Sequence, residues 1–287
     1  MKGRTRVGKV FCLTVTRVSP IGLHKQDLLT GERMESNMRI KVLGCSGAEF
    51  PGYNLPGFLL DNKILFDGGS ITNVLDKKSQ LKIENIFVTH AHLDHVKGIP
   101  FLADNIIIES RQHKVNILST SPVIRTIKKN ILNSSIWPDF TLKGILRLKE
   151  LKINQEIKVD GFTVIPLSVS HSVPAVGYLV EDNRKKRLFY TGDTGPSDET
   201  WKKLGKERIH CLIIEVTFPS RMEETAVRTR HLTPQLLKKE LLKMGYLPEE
   251  VCITHLKPQY FKIIESELKR LRINNLRVLR DGETIKV

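Results

Sequence analysis

Three of the chain's nine histidines fall within six residues, in the run Thr89-His90-Ala91-His92-Leu93-Asp94-His95. Imidazole nitrogens and a carboxylate oxygen are ligands that Zn2+, Fe and Mn2+ accept. The apolar run Ile86-Phe87-Val88 just before it reads as a buried strand, so the histidines emerge at a strand's end. His90 and His92, two residues apart, can converge on one ion. Asp94 and His95, one step further round the turn, can converge on a second. Gly98-Ile99-Pro100 is expected to end that turn.

Two ions need more than four ligands, and the remainder should be isolated His or Asp residues at strand ends. His171 comes shortly after the strand-like run Phe162–Ser168. Asp193 follows Leu188–Thr191, within Gly192-Asp193-Thr194-Gly195, where flanking glycines let the backbone bring a carboxylate close to an ion. His255 ends the run Val251–Thr254. In this order, His90, His92, Asp94, His95, His171, Asp193 and His255 resemble the metal-ligand set of the metallo-β-lactamase fold. The resemblance spans nearly all of residues 38–287. It implies an α/β fold, an αββα sandwich of two mixed sheets flanked by helices, with a dinuclear site at one edge. It also implies that His90, His92 and His171 hold one metal, that Asp94, His95 and His255 hold the other, and that Asp193 bridges them.

Glu215-Val216-Thr217-Phe218 and His231-Leu232-Thr233 resemble the Glu and His motifs of the phosphodiesterase branch of that family, which includes tRNase Z. The resemblance implies that His231 lies near the scissile phosphate and that Glu215 orients it. An alkoxide leaving group needs a proton, and a carboxylate-held imidazole is a suitable donor near neutral pH. Because the two residues are 16 apart, folding must pair them.

Within the branch, Leu43-Gly44-Cys45-Ser46-Gly47, His92-Leu93-Asp94-His95 with Gly98-Ile99-Pro100-Phe101-Leu102, Ile136-Trp137-Pro138-Asp139-Phe140 and Ser170-His171-Ser172-Val173-Pro174-Ala175-Val176-Gly177-Tyr178 resemble class II cyclic-nucleotide phosphodiesterases. The implied cofactors are two divalent metal ions, Zn2+ first, with Fe or Mn2+ also accepted by such ligands. The implied reaction is attack of a metal hydroxide on the phosphorus of a 3′,5′-cyclic nucleotide, with His231 protonating the departing 3′ oxygen to leave a 5′-monophosphate. Asp94, Glu215 and His231 are the residues expected to act in catalysis, and the loop Gly44–Asn54 is expected to border the pocket. The alternative is a tRNase Z-like RNA-processing endonuclease. The net charge of +15 favours RNA through phosphate neutralisation, whereas the sequence shows no long Gly/Pro-rich arm of the kind that clamps tRNA. A non-catalytic binding relative would have little reason to keep seven ligands and an acid/base pair.

The elements that must position these residues are short and alternate. Apolar, β-branched or aromatic runs predict strands at Met38–Leu43, Gly57–Asp61, Lys63–Asp67, Asn85–Thr89, Val115–Ser119, Phe162–Ser168, Val176–Val180, Leu188–Thr191, Leu212–Val216 and Val251–Thr254. Helical periodicity is strong at 121–132, 233–244 and 258–272. Thr233 can cap the second of these with Pro234 at its first position. Arg184–Arg187 reads as a solvated hairpin turn.

With 40% hydrophobic and 27% charged residues in 287, the chain is not disordered throughout. No run approaches the roughly 18–20 apolar residues of a membrane span. Cys12, Cys45, Cys211 and Cys252 form no CxxC pair, which suits reduced thiols and a cytoplasmic location. The apolar stretch Val10–Val15 is too short for the roughly 7–15-residue core of an export signal. Residues 1–37 carry seven Lys/Arg, three Asp/Glu and no sustained period. They are expected to be a poorly structured basic extension ahead of a catalytic domain at 38–287, or the product of a start placed too far upstream. Without them the charge is still +11, so the basicity belongs to the domain. Trp137 is expected to stack on a base, to pack at a homodimer contact or to be a plain core residue.

Overall fold

The computed structural model describes residues 38–110, 112–205 and 208–287, so the expectation for residues 1–37 lies outside the described residues. The first sheet takes β1 (Arg39–Gly44), β2 (Gly57–Leu60), β3 (Ile64–Phe66), β4 (Asn85–Phe87), β5 (Val115–Thr120) and β6 (Leu146–Leu151). The second takes β7 (Ile157–Val159), β8 (Phe162–Ser168), β9 (Val176–Glu181), β10 (Arg187–Tyr190), β11 (Cys211–Glu215), β12 (Glu250–Thr254) and β13 (Leu276–Val278). The last strand, β14 (Thr284–Lys286), returns to the first sheet beside β1. The orders are β14-β1-β2-β3-β4-β5-β6 and β13-β12-β11-β10-β9-β8-β7, seven strands each. Both sheets are mixed: β3 to β6 run parallel, as do β10 to β13, and the remaining neighbours are antiparallel.

The helices are α1 (Lys77–Gln80), α2 (Leu93–Val96), α3 (Gly98–Glu109), α4 (Ser121–Asn130), α5 (Asp198–Leu204), α6 (Glu223–Thr229), α7 (Pro234–Lys243) and α8 (Phe261–Arg270). Strand alternation sorts the core into layers. Phe58, Phe66 and Phe87 of the first sheet meet Tyr178, Tyr190 and Ile213 of the second between the sheets. Leu59, Leu65 and Ile86 point the other way, against Leu102 and Ile106 of α3 and Ile124 and Ile127 of α4. Leu212, Ile214 and Ile253 pack outward with Trp201 of α5, Leu237 of α7 and Ile264 of α8. The result is the expected αββα sandwich. Among the described residues, no helix is long and apolar enough to cross a membrane.

One local expectation is corrected. Gly98-Ile99-Pro100 does not end a turn; it opens the twelve-residue helix α3. Pro100 is tolerated because the first turn of a helix has no use for its N–H. The ten expected strands all form. The four that escaped notice, β6, β7, β13 and β14, are the edge strands of the two sheets.

Candidate metal centre

The parallel strands converge their C-terminal ends on one rim of the sandwich, and the polar residues follow directly. Asp67 comes after β3, the His90–His95 run after β4, Asp193 after β10 and His255 after β12, while Glu215 is the last residue of β11. His171 lies on the loop after β8, and His231 lies between α6 and α7, ahead of the Thr233 cap. The structure thus brings together all seven ligand candidates, with Glu215 and His231 beside them.

Two groups of donor atoms face each other across one carboxylate. In the first, His92 Nδ1 lies 3.0 Å from His90 Nε2 and 3.2 Å from His171 Nε2. Asp193 Oδ2 lies 3.6 Å from His90 Nε2 and 3.9 Å from His171 Nε2. In the second, His95 Nε2 and His255 Nε2 are 3.4 Å apart, and Asp94 Oδ2 is 3.8 Å and 3.3 Å from them. Asp193 Oδ1 is 3.3 Å from both of those nitrogens. A tetrahedral ion with bonds of about 2.0–2.1 Å spaces its ligands about 3.3 Å apart, so these separations are those of ligands around an ion. Asp193 Oδ1 is also buried with no hydrogen-bond partner, which a carboxylate tolerates poorly unless something else satisfies it. The donor set fits divalent metal ions.

The outer nitrogens of the rings fix which nitrogen faces inward. His95 Nδ1 donates to Asp67 Oδ2 at 2.7 Å. The Thr89 hydroxyl donates to the same carboxylate at 2.8 Å, so it accepts from His90 Nδ1 at 3.0 Å. A matching relay serves the other side. The Thr217 hydroxyl donates to Glu215 Oε2 at 2.6 Å and accepts from His255 Nδ1 at 2.9 Å. His171 Nδ1 donates to the Arg230 carbonyl at 3.2 Å. Each of these rings therefore turns an Nε2 lone pair into the cluster, the form a metal needs. Burial lowers the pKa of His90, His92 and His171, which favours the neutral imidazole there.

The carboxylates at the base of the relays accept only. Asp67 also takes the Thr89 N–H at 2.8 Å and the Tyr190 hydroxyl at 2.7 Å. Glu215 takes His231 Nδ1 at 2.7 Å, the Thr194 N–H at 2.9 Å and the Leu232 N–H at 3.2 Å. Burial alone would lower the His231 pKa; the Glu215 charge and hydrogen bond outweigh it and raise it to about 9. His92, Asp94 and His231 are only partly buried, so the cluster opens to solvent on their side.

The backbone is pulled close to make this possible. A Cβ at Gly47 would lie 2.5 Å from the His255 carbonyl oxygen and 2.7 Å from its Nδ1. The loop of Gly47 is stitched to the ligand segment by His255 N to Cys45 O at 2.7 Å and Gly47 N to Leu256 O at 3.1 Å. Gly192, at φ +60°, leaves room where a Cβ would lie 2.7 Å from Thr89. Three non-glycine residues of the site, Asp67, Arg230 and His255, also hold left-handed backbone, with φ of +56°, +56° and +65°.

Sequence reasoning did not single out Asp67 or assign roles to Thr89 and Thr217. The signal for Asp67 was Asp67-Gly68-Gly69 directly after a predicted strand, a polar residue held where the sheet ends. Asp67→Asn would set an amide NH2 against donors whichever way it turned, against Thr89 Oγ1, His95 Nδ1 and the Tyr190 hydroxyl in place of Oδ2 or against Thr89 N and Oγ1 in place of Oδ1. It should weaken metal affinity roughly 10–100-fold, read by competition with a coloured chelator; unchanged affinity would remove the relay.

Comparison with known proteins agrees with this arrangement. A family profile described as "Beta-lactamase superfamily domain" matches residues 68–256. A probable 3′,5′-cyclic-nucleotide phosphodiesterase of Yersinia pestis is 28% identical over 223 residues, covering 66% of this chain and 63% of that protein, so the match spans less than two thirds of the relative. A ribonuclease Z of Methanococcus maripaludis is 27% identical over 278 residues, covering 78% of this chain and 87% of that protein. The crystal structure of unliganded yeast PDE1 superposes with a TM-score of 0.77 at 20% identity, over 88% of this chain and 99% of that one.

Proposed function

We propose, since the chain belongs to the β-lactamase superfamily, that it is a metal-dependent phosphodiesterase that hydrolyses 3′,5′-cyclic nucleotides to 5′-monophosphates. The observation that carries the reading is the Glu215–His231 pair at 2.7 Å. It stands beside the cluster, with the His231 ring 5.1 Å from that of His171 and 5.6 Å from that of His255. The relative of Yersinia pestis, named a probable cyclic-nucleotide phosphodiesterase, supports the substrate class.

His90, His92 and His171 would hold one ion and Asp94, His95 and His255 the other, with Asp193 between; zinc suits this His-rich set, and Fe or Mn2+ are also accepted. Bound, the ions supply a water of lowered pKa and positive charge for the phosphoryl oxygens. Asp67 and Thr89 keep His95 and His90 oriented, and Thr217 does the same for His255. Glu215 holds His231 Nδ1, which leaves Nε2 to give a proton to the departing 3′ oxygen. Leaving-group protonation needs a donor within reach of that oxygen, and the partial exposure of His231 at the mouth of the cluster provides one.

A second reading, an RNA-processing endonuclease, draws support from the ribonuclease Z relative and from the net charge of +15. Incubation of metal-replete protein with 3′,5′-cyclic nucleotides, a 2′,3′-cyclic nucleotide and pre-tRNA, followed by product analysis, separates the readings. A 5′-monophosphate from the 3′,5′-cyclic substrates is expected; cleaved pre-tRNA with intact cyclic nucleotides would establish the second reading instead.

A further inference from the structure

A cavity of about 180 Å³ shares the His92 wall with the metal centre. Its other walls are Ala91, Val123, Thr126, Val173 and Pro174. These come from three places in the fold: the loop after β4, the first two turns of α4, and the loop after β8. The Thr126 hydroxyl is already committed to the Pro122 carbonyl at 2.9 Å. What remains for an occupant is apolar surface, plus the edge of one imidazole. Three other cavities, near Lys77, Glu265 and Lys238, share no residue with the His/Asp cluster.

Volume and chemistry narrow the occupant. Sites that enclose a drug-sized ligand run to roughly 300–1,000 Å³, so this slot takes one ring system rather than a whole nucleotide. A phosphate or ribose would lose its hydration against these walls and gain no partner. A flat heteroaromatic ring buries apolar faces at little conformational cost. Resting on the phosphodiesterase reading above, we propose that this slot receives the nucleobase of the cyclic-nucleotide substrate and that Thr126 and Val173 set its fit. With the phosphate at the cluster and the base against Val123, Thr126, Val173 and Pro174, the nucleotide lies across His92, and each end holds the other in register.

The test fills the slot. Thr126 is exposed on α4, so Thr126→Trp can fold while its indole occupies the space a base would take. The activity of wild type and variant is compared on a 3′,5′-cyclic nucleotide and on methyl nitrophenyl phosphate, a diester with no base. The ratio of kcat/KM for the two substrates should fall roughly tenfold or more in the variant, about the worth of burying one apolar ring, with the change in KM. Equal losses on both substrates, or no loss on either, would overturn the slot. Calorimetry of nucleoside 5′-monophosphate against ribose 5-phosphate keeps the test independent of turnover. Wild type should bind the nucleotide more tightly than the sugar phosphate, and Thr126→Trp should remove the difference. If wild type hydrolyses neither diester, the phosphodiesterase reading fails; an equal affinity for the two monophosphates rejects the slot by itself.

Discussion

Asp193→Ala should lose bound metal and turnover together. The carboxylate is buried, with Oδ2 toward His90 and His171 and Oδ1 3.3 Å from both His95 and His255. It lies against both sets of imidazoles, so each set would lose a donor and the cluster its central charge. Metal analysis should show bound ion falling by roughly half or more. Turnover should fall by more than the roughly 10²–10³ that the loss of a single electrostatic donor costs. A variant that keeps full metal content and full turnover would remove Asp193 from the bridging role. Asp193→Asn separates charge from volume: it fills the same space, but its NH2 can accept nothing and cannot ligate, so it should follow the alanine variant.

His231→Ala should do the reverse, retaining metal while kcat on the natural substrate falls roughly 10²–10⁴-fold, the range for a positioned acid or base. The loss should shrink on a nitrophenyl ester, whose leaving group departs without a proton. Equal slowing of both substrates would mean that His231 binds phosphate or supports the fold. Glu215→Gln shows why the two roles must be read separately. The same carboxylate that holds His231 also receives the Thr217 hydroxyl, which in turn fixes His255. Glu215→Gln should therefore show a weaker form of the acid defect together with a loss of metal affinity of roughly 10–100-fold, the second part absent from His231→Ala. Its amide nitrogen would also face the Thr194 or Leu232 N–H, so its melting temperature should drop.

The strands legible in the sequence were those in the sheet interiors. β4, β10, β11 and β12 are buried along almost their whole length, and a strand covered on both faces must be an apolar run. The edges carry no such demand. β6 reads Leu146-Arg147-Leu148-Lys149-Glu150-Leu151 with its charges outward, a pattern that resists pairing with other chains and looks like a loop or helix on paper. Helix α3 was hidden for a different reason, since Gly98 and Pro100 are turn residues until the register shows them in a first helical turn. In the site, residues that touch the ion-facing cluster have conspicuous chemistry and were found by type and spacing. Asp67, Thr89 and Thr217 act through another side chain, on partners 22 to 38 positions away in the case of the Asp67–Thr89 and Thr217–His255 contacts. No local pattern marks such pairs; only the pleat and crossing of the strands make them neighbours.

The left-handed backbone at Asp67, Arg230 and His255 sets the domain's two selective demands against each other. Non-glycine residues in that region carry strain of order 1–3 kcal/mol each, within a total margin that for folded domains is only about 5–15 kcal/mol. Glycine would relax the backbone at each of the three. Backbone strain alone would thus favour glycine at these positions and empty the rim, and at Asp67 the relaxation would be offset by the Thr89 and Tyr190 donors left without an acceptor. Any breeding or computational redesign of this scaffold must hold those three identities fixed, because backbone strain counted alone would argue for replacing them.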